Sequence, residues 1–225
     1  SLEWEVPITS RTVFDVASVS KQVTATAVLL LEKDGLLTLD DDVRKHLPEL
    51  PPYPRTITLR HLLHHTSGLR DYLELLALKG VPVEGVTTDA QALALVARQK
   101  GTDFPAGEEM RYCNTGYFLL SQVVRRVSGK SLRAFAAERV FGPLGMKETR
   151  FADDHAEVVP RRATGYAPRA AGGFTLATSG WEQTGDGGVL TTLDDLLRWG
   201  RGLDDGSLTG RELVERMETE AKRKD

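Results

Sequence analysis

The sequence predicts a chain dominated by helices, with little sheet. Three observations carry this: a nearly unbroken apolar segment, Val23 to Leu31, has the character of a buried helix; helix-start signatures recur at Thr58, Thr88, Ser131, Thr192 and Thr209; and strand-like runs are few and short. A helical protein and the helical part of something larger both fit that pattern.

Taken in order, the first strand candidate is weak, Thr12 to Phe14. The first helix is expected from about Val19 to Lys33, where Val23, Ala25, Ala27, Val28, Leu29, Leu30 and Leu31 leave little polar face. Such a helix belongs at the centre of a core. Gly35 stands where a left-handed C-terminal cap is needed, and a short strand is expected around Leu36 to Leu39. Thr58 precedes a helix over Leu59 to His65, and Thr88 with Gln91 makes a capping box for a helix to about Lys100. Tyr117, Leu120, Val124 and Val127 recur at helical spacing, and Ser131 opens another helix that Gly142-Pro143 closes. Between Ala163 and Val189 the pairs Gly172-Gly173 and Gly187-Gly188 suit irregular hairpins better than helix. Helices resume from Thr192 and from Thr209, the latter with Glu212 as a second capping box, and the pattern stays helix-like from Glu212 to Asp225. No internal repeat, low-complexity tract or linker marks a domain boundary in the sequence.

The 225 residues include 29 basic and 32 acidic side chains, a formal charge of −3. Near balance gives no bulk electrostatic drive toward nucleic acid or anionic membrane. With 40 % apolar and 27 % charged residues the composition is that of a globular protein. A chain of this size buries roughly 70 to 75 % of its unfolded surface. The one cysteine, Cys113, excludes an intrachain disulfide and a zinc site built from several thiolates. Purely apolar stretches such as Ala27 to Leu31 are far short of the roughly 18 to 20 residues of a membrane span. The start, Ser1-Leu2-Glu3-Trp4-Glu5, is acidic and lacks an initiator Met, so it does not read as a signal peptide; processing or a cut is expected to have made it.

Chemistry enters at Ser18-Val19-Ser20-Lys21. On spacing alone Ser18 reads as a helix N-cap. Lys21 speaks against that, because a capping box wants Glu or Gln at this place and a cation in the first turn opposes the macrodipole by about 0.3 to 1 kcal/mol. Such local conflicts concentrate at functional sites. One helical turn sets the Lys21 amine beside the Ser18 hydroxyl, while burial and the positive helix end disfavour an ammonium, so Lys21 is a candidate base. The Ser18 backbone amide, at the same helix end, can face a developing oxyanion. The second segment is Tyr112-Cys113-Asn114, in a turn-rich loop leading into a helix. A tyrosine needs a neighbouring cation to act as a phenolate base, and Lys21 is the candidate cation. By itself Tyr112 also reads as a half-buried ring and Asn114 as a turn residue or cap.

Together the segments resemble the serine β-lactamase and penicillin-binding-protein superfamily, whose Ser-x-x-Lys motif supplies nucleophile and lysine. Tyr-x-Asn in place of Ser-x-Asn points to the class C β-lactamase branch with its esterase and D-peptidase relatives. Five segments look like family signatures in the family's order: Phe14 to Lys21, Thr58 to Leu69, the Tyr112 loop, Phe141 to Met146, and Gly185-Asp186-Gly187-Gly188. The resemblance implies an α+β fold, and an acyl-enzyme on Ser18 formed from an amide, ester or β-lactam carbonyl. Lys21 and Tyr112 would share the proton traffic as a coupled pair, and Asn114 would hold the substrate's side chain. It implies a small-molecule acyl substrate, no cofactor and no metal, and it leaves periplasmic, secreted and cytoplasmic locations open.

The family's third motif, Lys-Thr-Gly or His-x-Gly, is absent. Gly129-Lys130-Ser131 lies between two helices and reads as a helix stop followed by a new cap. The resemblance therefore implies one incomplete serine-hydrolase domain, 1–225, with the helical region largely present and most of the antiparallel sheet missing. Its parts are the nucleophile helix and lead-in at 1–35, a mainly helical region at 36–180, and helices leading toward further strands at 181–225. An exposed apolar side of the nucleophile helix would favour self-association.

The competing classes are weaker. His61, His64 and His65 share one-turn spacing but lack the carboxylate of a zincin. The segment before Gly129-Lys130-Ser131 has Val124 at the first P-loop glycine position, Gly-x-Ser-x-Gly is absent, and no motif places a histidine beside Cys113. A non-catalytic scaffold or binding fragment of the same family is the alternative of another class. The missing strand would carry the second oxyanion amide, whose loss typically costs about 10² to 10³ in rate. Turnover by the 225-residue chain alone is therefore expected to be weak or absent; a robust esterase rate from the monomer, abolished by Ser18→Ala, would contradict this.

Overall fold

The computed structural model describes residues 1–208 and 210–218. Its organising element is helix α1 (Ser20–Lys33), whose Val23, Ala27, Val28, Leu29, Leu30 and Leu31 are all buried. α1 packs against α6 (Asn114–Ser128), α7 (Leu132–Ala136) and α9 (Arg211–Glu218). The other face of α6 receives α2 (Val43–His46), α3 (Leu59–Leu63) and α4 (Tyr72–Leu78), and α4 also meets α5 (Asp89–Ala97). Helix α8 (Leu193–Asp204) follows the last strand. One continuous apolar cluster runs from Val23 to Leu213 through these helices.

The sheet is small. Strands β1 (Phe14–Asp15), β2 (Arg150–Phe151) and β5 (Val189–Thr191) form one antiparallel sheet in the order β1-β5-β2, with Phe14 opposite Thr191 and Phe151 opposite Val189. Strands β3 (Tyr166–Pro168) and β4 (Phe174–Leu176) pair as a separate hairpin around Gly172 and Gly173. This is an α+β arrangement with a dominant helical core and a reduced, open sheet among the described residues.

The capping signals locate helix starts well. Thr88 and Gln91 form the reciprocal box of α5, Ser131 accepts from the Ala134 amide, and Thr192 accepts from the Asp195 amide. At α3 the box closes with an unexpected partner, His61, whose Nδ1 accepts from the Thr58 amide at 3.2 Å. Several expectations are corrected. Helix α5 ends at Ala97, before Lys100. Leu36 to Leu39 form no strand: Leu37 and Leu39 are buried, but this segment bonds to Glu32, Asp41 and Arg60 instead of a neighbouring strand. Past Gly187-Gly188 the chain enters the central strand of a long-range sheet rather than a local hairpin. After α7 the chain widens into a π-helical turn, Ala137–Phe141, before Gly142. The apolar residues Val23, Ala27, Val28, Leu29, Leu30 and Leu31 of α1 are covered within the chain, and the large apolar side chains left exposed include Trp4, Ile8, Val19, Leu78 and Val158. The Thr209 half of the last capping box and the expected helix beyond Glu218 lie outside the described residues.

Two close approaches bring α6 into register. A Cβ on Gly116 would stand 2.9 Å from the Leu62 carbonyl oxygen, so α3 can lie against the first turn of α6 only because that residue is glycine. Two residues on, Phe118 is fully buried, its ring tilted against that of Tyr72 with the centroids 5.1 Å apart. Phe118→Ala is expected to cost about 3 to 5 kcal/mol. At ~2 to 4 °C per kcal/mol, calorimetry should show the midpoint falling by at least about 6 °C; a shift below about 2 °C would mean the core does not depend on this ring.

Candidate active site

The Ser18 turn is built under strain. Ala17 to Val19 make a 3₁₀ turn ahead of α1, and Ala17 itself has φ +45°, a left-handed conformation that alanine adopts reluctantly. Neighbours hold it there. The Ala17 amide donates to Asp15 Oδ1 at 2.8 Å, its carbonyl accepts from the Ser20 hydroxyl at 2.5 Å, and the Val189 amide donates to that same hydroxyl at 3.0 Å. Ser20, a buried residue of α1, thus ties the turn to β5. Ser18 does not act as the N-cap. Residue Val19 occupies that place without a side-chain bond, and the Ser18 hydroxyl is turned toward Tyr112 and Lys21.

All four residues singled out in the sequence meet. Ser18 Oγ lies 2.6 Å from the Tyr112 hydroxyl, and Lys21 Nζ donates to Ser18 Oγ at 3.1 Å, to Asn114 Oδ1 at 2.9 Å and to the Asp186 carbonyl oxygen at 2.6 Å. Three N–H bonds thus have three acceptors. Lys21 is only 7 % exposed, and its Nζ stands 4.8 Å from the Tyr112 ring centroid and 5.6 Å from that of Tyr117. Tyr112, by contrast, is 51 % exposed, so the Ser18 and Tyr112 side chains open to solvent while the Lys21 amine sits behind them.

Three contributors escaped the sequence reading. His65, with φ +58°, wedges between Tyr112 and Tyr117 at ring distances of 4.6 and 5.2 Å, and its Nδ1 accepts from the Cys113 amide at 3.1 Å. Burial first, then the Lys21 charge, holds the imidazole below its ordinary range. Asp71, the cap of α4, accepts from both the backbone amide and Nδ2 of Asn114. Asp186 gives its carbonyl to Lys21 while its carboxylate is buried: Oδ2 accepts from Tyr72 at 3.0 Å, and Oδ1 has no hydrogen-bond partner among the described residues. The resemblance marks Gly185-Asp186-Gly187-Gly188 as a signature segment, and an aspartate set between glycines is the signal the sequence offers. Gly185 needs to be glycine, because its φ is +107° and a Cβ would meet the Tyr117 carbonyl oxygen at 2.5 Å.

The other candidates have structural duties. Burial pushes the Cys113 thiol up to about 11, and the thiol donates to the Leu69 carbonyl oxygen, which does not suit a nucleophile. His61 and His65 spend their Nδ1 atoms on backbone amides. Gly129, at φ +72°, caps α6, Lys130 pairs with Glu138, and Ser131 caps α7. Among the described residues the side chains that could gather round a metal are Asp154, His155 and Glu182, whose ligand atoms lie within 4.8 Å of one another at the surface. No described helix is long and apolar enough to cross a membrane.

Comparison with known proteins sets this geometry in context. The Beta-lactamase family model matches residues 1–225. A D-aminopeptidase of Gluconobacter oxydans is 32 % identical over 206 residues, covering 91 % of this chain and 38 % of that protein. The octameric penicillin-binding protein homologue from Pyrococcus abyssi superposes with a TM-score of 0.85 at 30 % identity, over 97 % of this chain and 51 % of that one. The D-amino acid amidase from Ochrobactrum anthropi SV3 gives a TM-score of 0.76 at 27 % identity, over 94 % and 61 %. The chain therefore spans 38 % of the curated relative's length and 51 % and 61 % of the two solved chains. The relatives lie on the D-peptidase and amidase side rather than specifically with class C β-lactamases.

Burial raises the Asp186 carboxyl to about 6, with Lys21 and the Tyr72 hydroxyl pulling it back down. A carboxyl that holds its proton more tightly in the folded state gives stability that is present at low pH and lost as pH rises through about 4 to 6. Its cost above that window is on the order of 3 kcal/mol. Asp186→Asn should therefore be the more stable protein at pH 8 and match the parent near pH 4. Thermal unfolding against pH reads this directly, and equal destabilisation at both pH values would contradict it.

Proposed function

The chain belongs to the Beta-lactamase family, and from that premise we propose that it is a serine-hydrolase domain whose Ser18 is acylated by an amide next to a D-amino acid. The observation that carries this reading is the 2.6 Å approach of the Tyr112 hydroxyl to Ser18 Oγ, with Lys21 Nζ 3.1 Å away. A hydroxyl that near two proton-transfer groups, in an exposed turn backed by a buried cation, suits nucleophilic attack.

In the proposed reaction Ser18 Oγ attacks the amide carbonyl, and its proton passes to the coupled Lys21–Tyr112 pair, which reacts in the form holding one proton fewer than an ammonium beside a phenol. The same pair returns that proton to the leaving amine as the C–N bond breaks, which leaves an ester on Ser18. Water then attacks the ester carbonyl, gives its proton to the pair, and the pair protonates Ser18 as the acid departs. The Ser18 amide, in the 3₁₀ turn ahead of α1, faces the oxyanion in both halves. Asn114 lines the acyl side. The preference for an amide of a D-residue is taken from the D-aminopeptidase and D-amino acid amidase relatives.

Intact-mass and peptide spectrometry after exposure to a fluorophosphonate should find one adduct, on Ser18. D-alanine p-nitroanilide should acylate the chain at least about tenfold faster than the L form, and Ser18→Ala should lose about 10³-fold or more of either reaction. An unmodified Ser18 would favour the scaffold reading instead, and an L preference would remove the substrate assignment.

A further inference from the structure

Asn114 sits between two groups that demand opposite ends of its amide. Lys21 Nζ can only donate, so the atom facing it at 2.9 Å is Oδ1. The Asp71 carboxylate can only accept, and its Oδ2 takes both Asn114 Nδ2 at 2.9 Å and the Asn114 backbone amide at 2.6 Å. Asp71 is itself fixed, because its Oδ1 accepts from the Leu73 amide at 2.9 Å as the cap of α4. The two oxygens of one carboxylate therefore do different work: one starts a helix, the other holds the amide.

We propose that Asp71 is a positioning residue that sets the sense of the Asn114 amide and, through its Oδ1, the place of Lys21 Nζ beside Ser18. The inference rests on the acyl-enzyme reading for its effect on rate. An amide at position 71 cannot serve both tasks. With its oxygen on the Leu73 amide it turns an NH₂ toward Asn114, donor against donor; the Asn114 side chain then turns over and presents Nδ2 to Lys21, and one of the three acceptors of Nζ is lost. The other two, Ser18 Oγ and the Asp186 carbonyl, remain.

The test uses Asp71→Asn, which keeps the cap of α4, and Asp71→Ser, which also caps but presents no carboxylate to Asn114. Each should slow fluorophosphonate modification of Ser18 by about 10- to 100-fold in the otherwise native chain. In an Asn114→Ala background the same changes should cost less than about threefold, since the amide they act through is gone. A second readout needs no reaction: the ¹H–¹⁵N signal of the Lys21 side chain, slow to exchange when every N–H is held, should broaden or vanish in both Asp71 variants. Equal losses in the two backgrounds with an unchanged Lys21 signal would overturn the role of Asp71 and leave the proposed function standing. Absence of any Ser18 adduct in the parent chain would overturn the proposed function, and the Lys21 signal would then decide the Asp71 contact by itself.

Discussion

A buried lysine nitrogen must find partners for its N–H groups, and Lys21 finds them in three separate stretches of chain. Ser18 comes from the turn before α1, Asn114 from the first residue of α6, and the Asp186 carbonyl from the loop before β5. Leaving one of these bonds unmade inside the protein would cost more than an ordinary hydrogen bond contributes. The strained Ala17 turn, the Gly185 contact with the Tyr117 carbonyl and the glycine at position 116 can all be understood as the backbone adjustments that let three segments converge on one nitrogen. Loop 185–189 is central to this. It meets α1 at three places, through Ser20 with Val189, Lys21 with Asp186 and Thr24 with Gly185.

Electrostatics then divides the site into a closed back and an open front. Behind Lys21 lie Asp186 with Tyr72, two groups whose burial disfavours their charged forms, and the His65 imidazole, which is likewise held toward neutrality. In front lie Ser18 and Tyr112, exposed to the solvent from which a substrate would arrive.

Much of this was legible in the sequence because it was local. Caps at Thr88, Ser131 and Thr192 announce themselves within four residues, and Ser18 with Lys21 conflicts with an ordinary helix start over the same span. Asn114 and Tyr112 were legible through their motif. What escaped depends on distant partners. The three-residue strand β5 has no pattern of its own and becomes the centre of a sheet only because Phe14 and Phe151 lie beside it. Leu36 to Leu39 read as a short strand yet find side chains and loops where a partner strand was expected. Asp71 caps α4 within two residues, but its second oxygen reaches Asn114, 43 positions away, which no window could have revealed.

The loop that closes behind Lys21 also dictates when the site can come into being. Ser18 meets Tyr112 across 94 positions of sequence, and Lys21 meets Asp186 across 165. Contacts of such long range form late, after local helices have already condensed. On a ribosome, the serine would leave the exit tunnel with its helix long before residues 185–189 existed. Until they arrive, Lys21 lacks one acceptor and the Ser20–Val189 tether is unmade, so Ser18, Lys21 and Tyr112 are present in the nascent chain before they are aligned. Under the proposed function, acylation of Ser18 would be deferred until the fold around it is nearly finished.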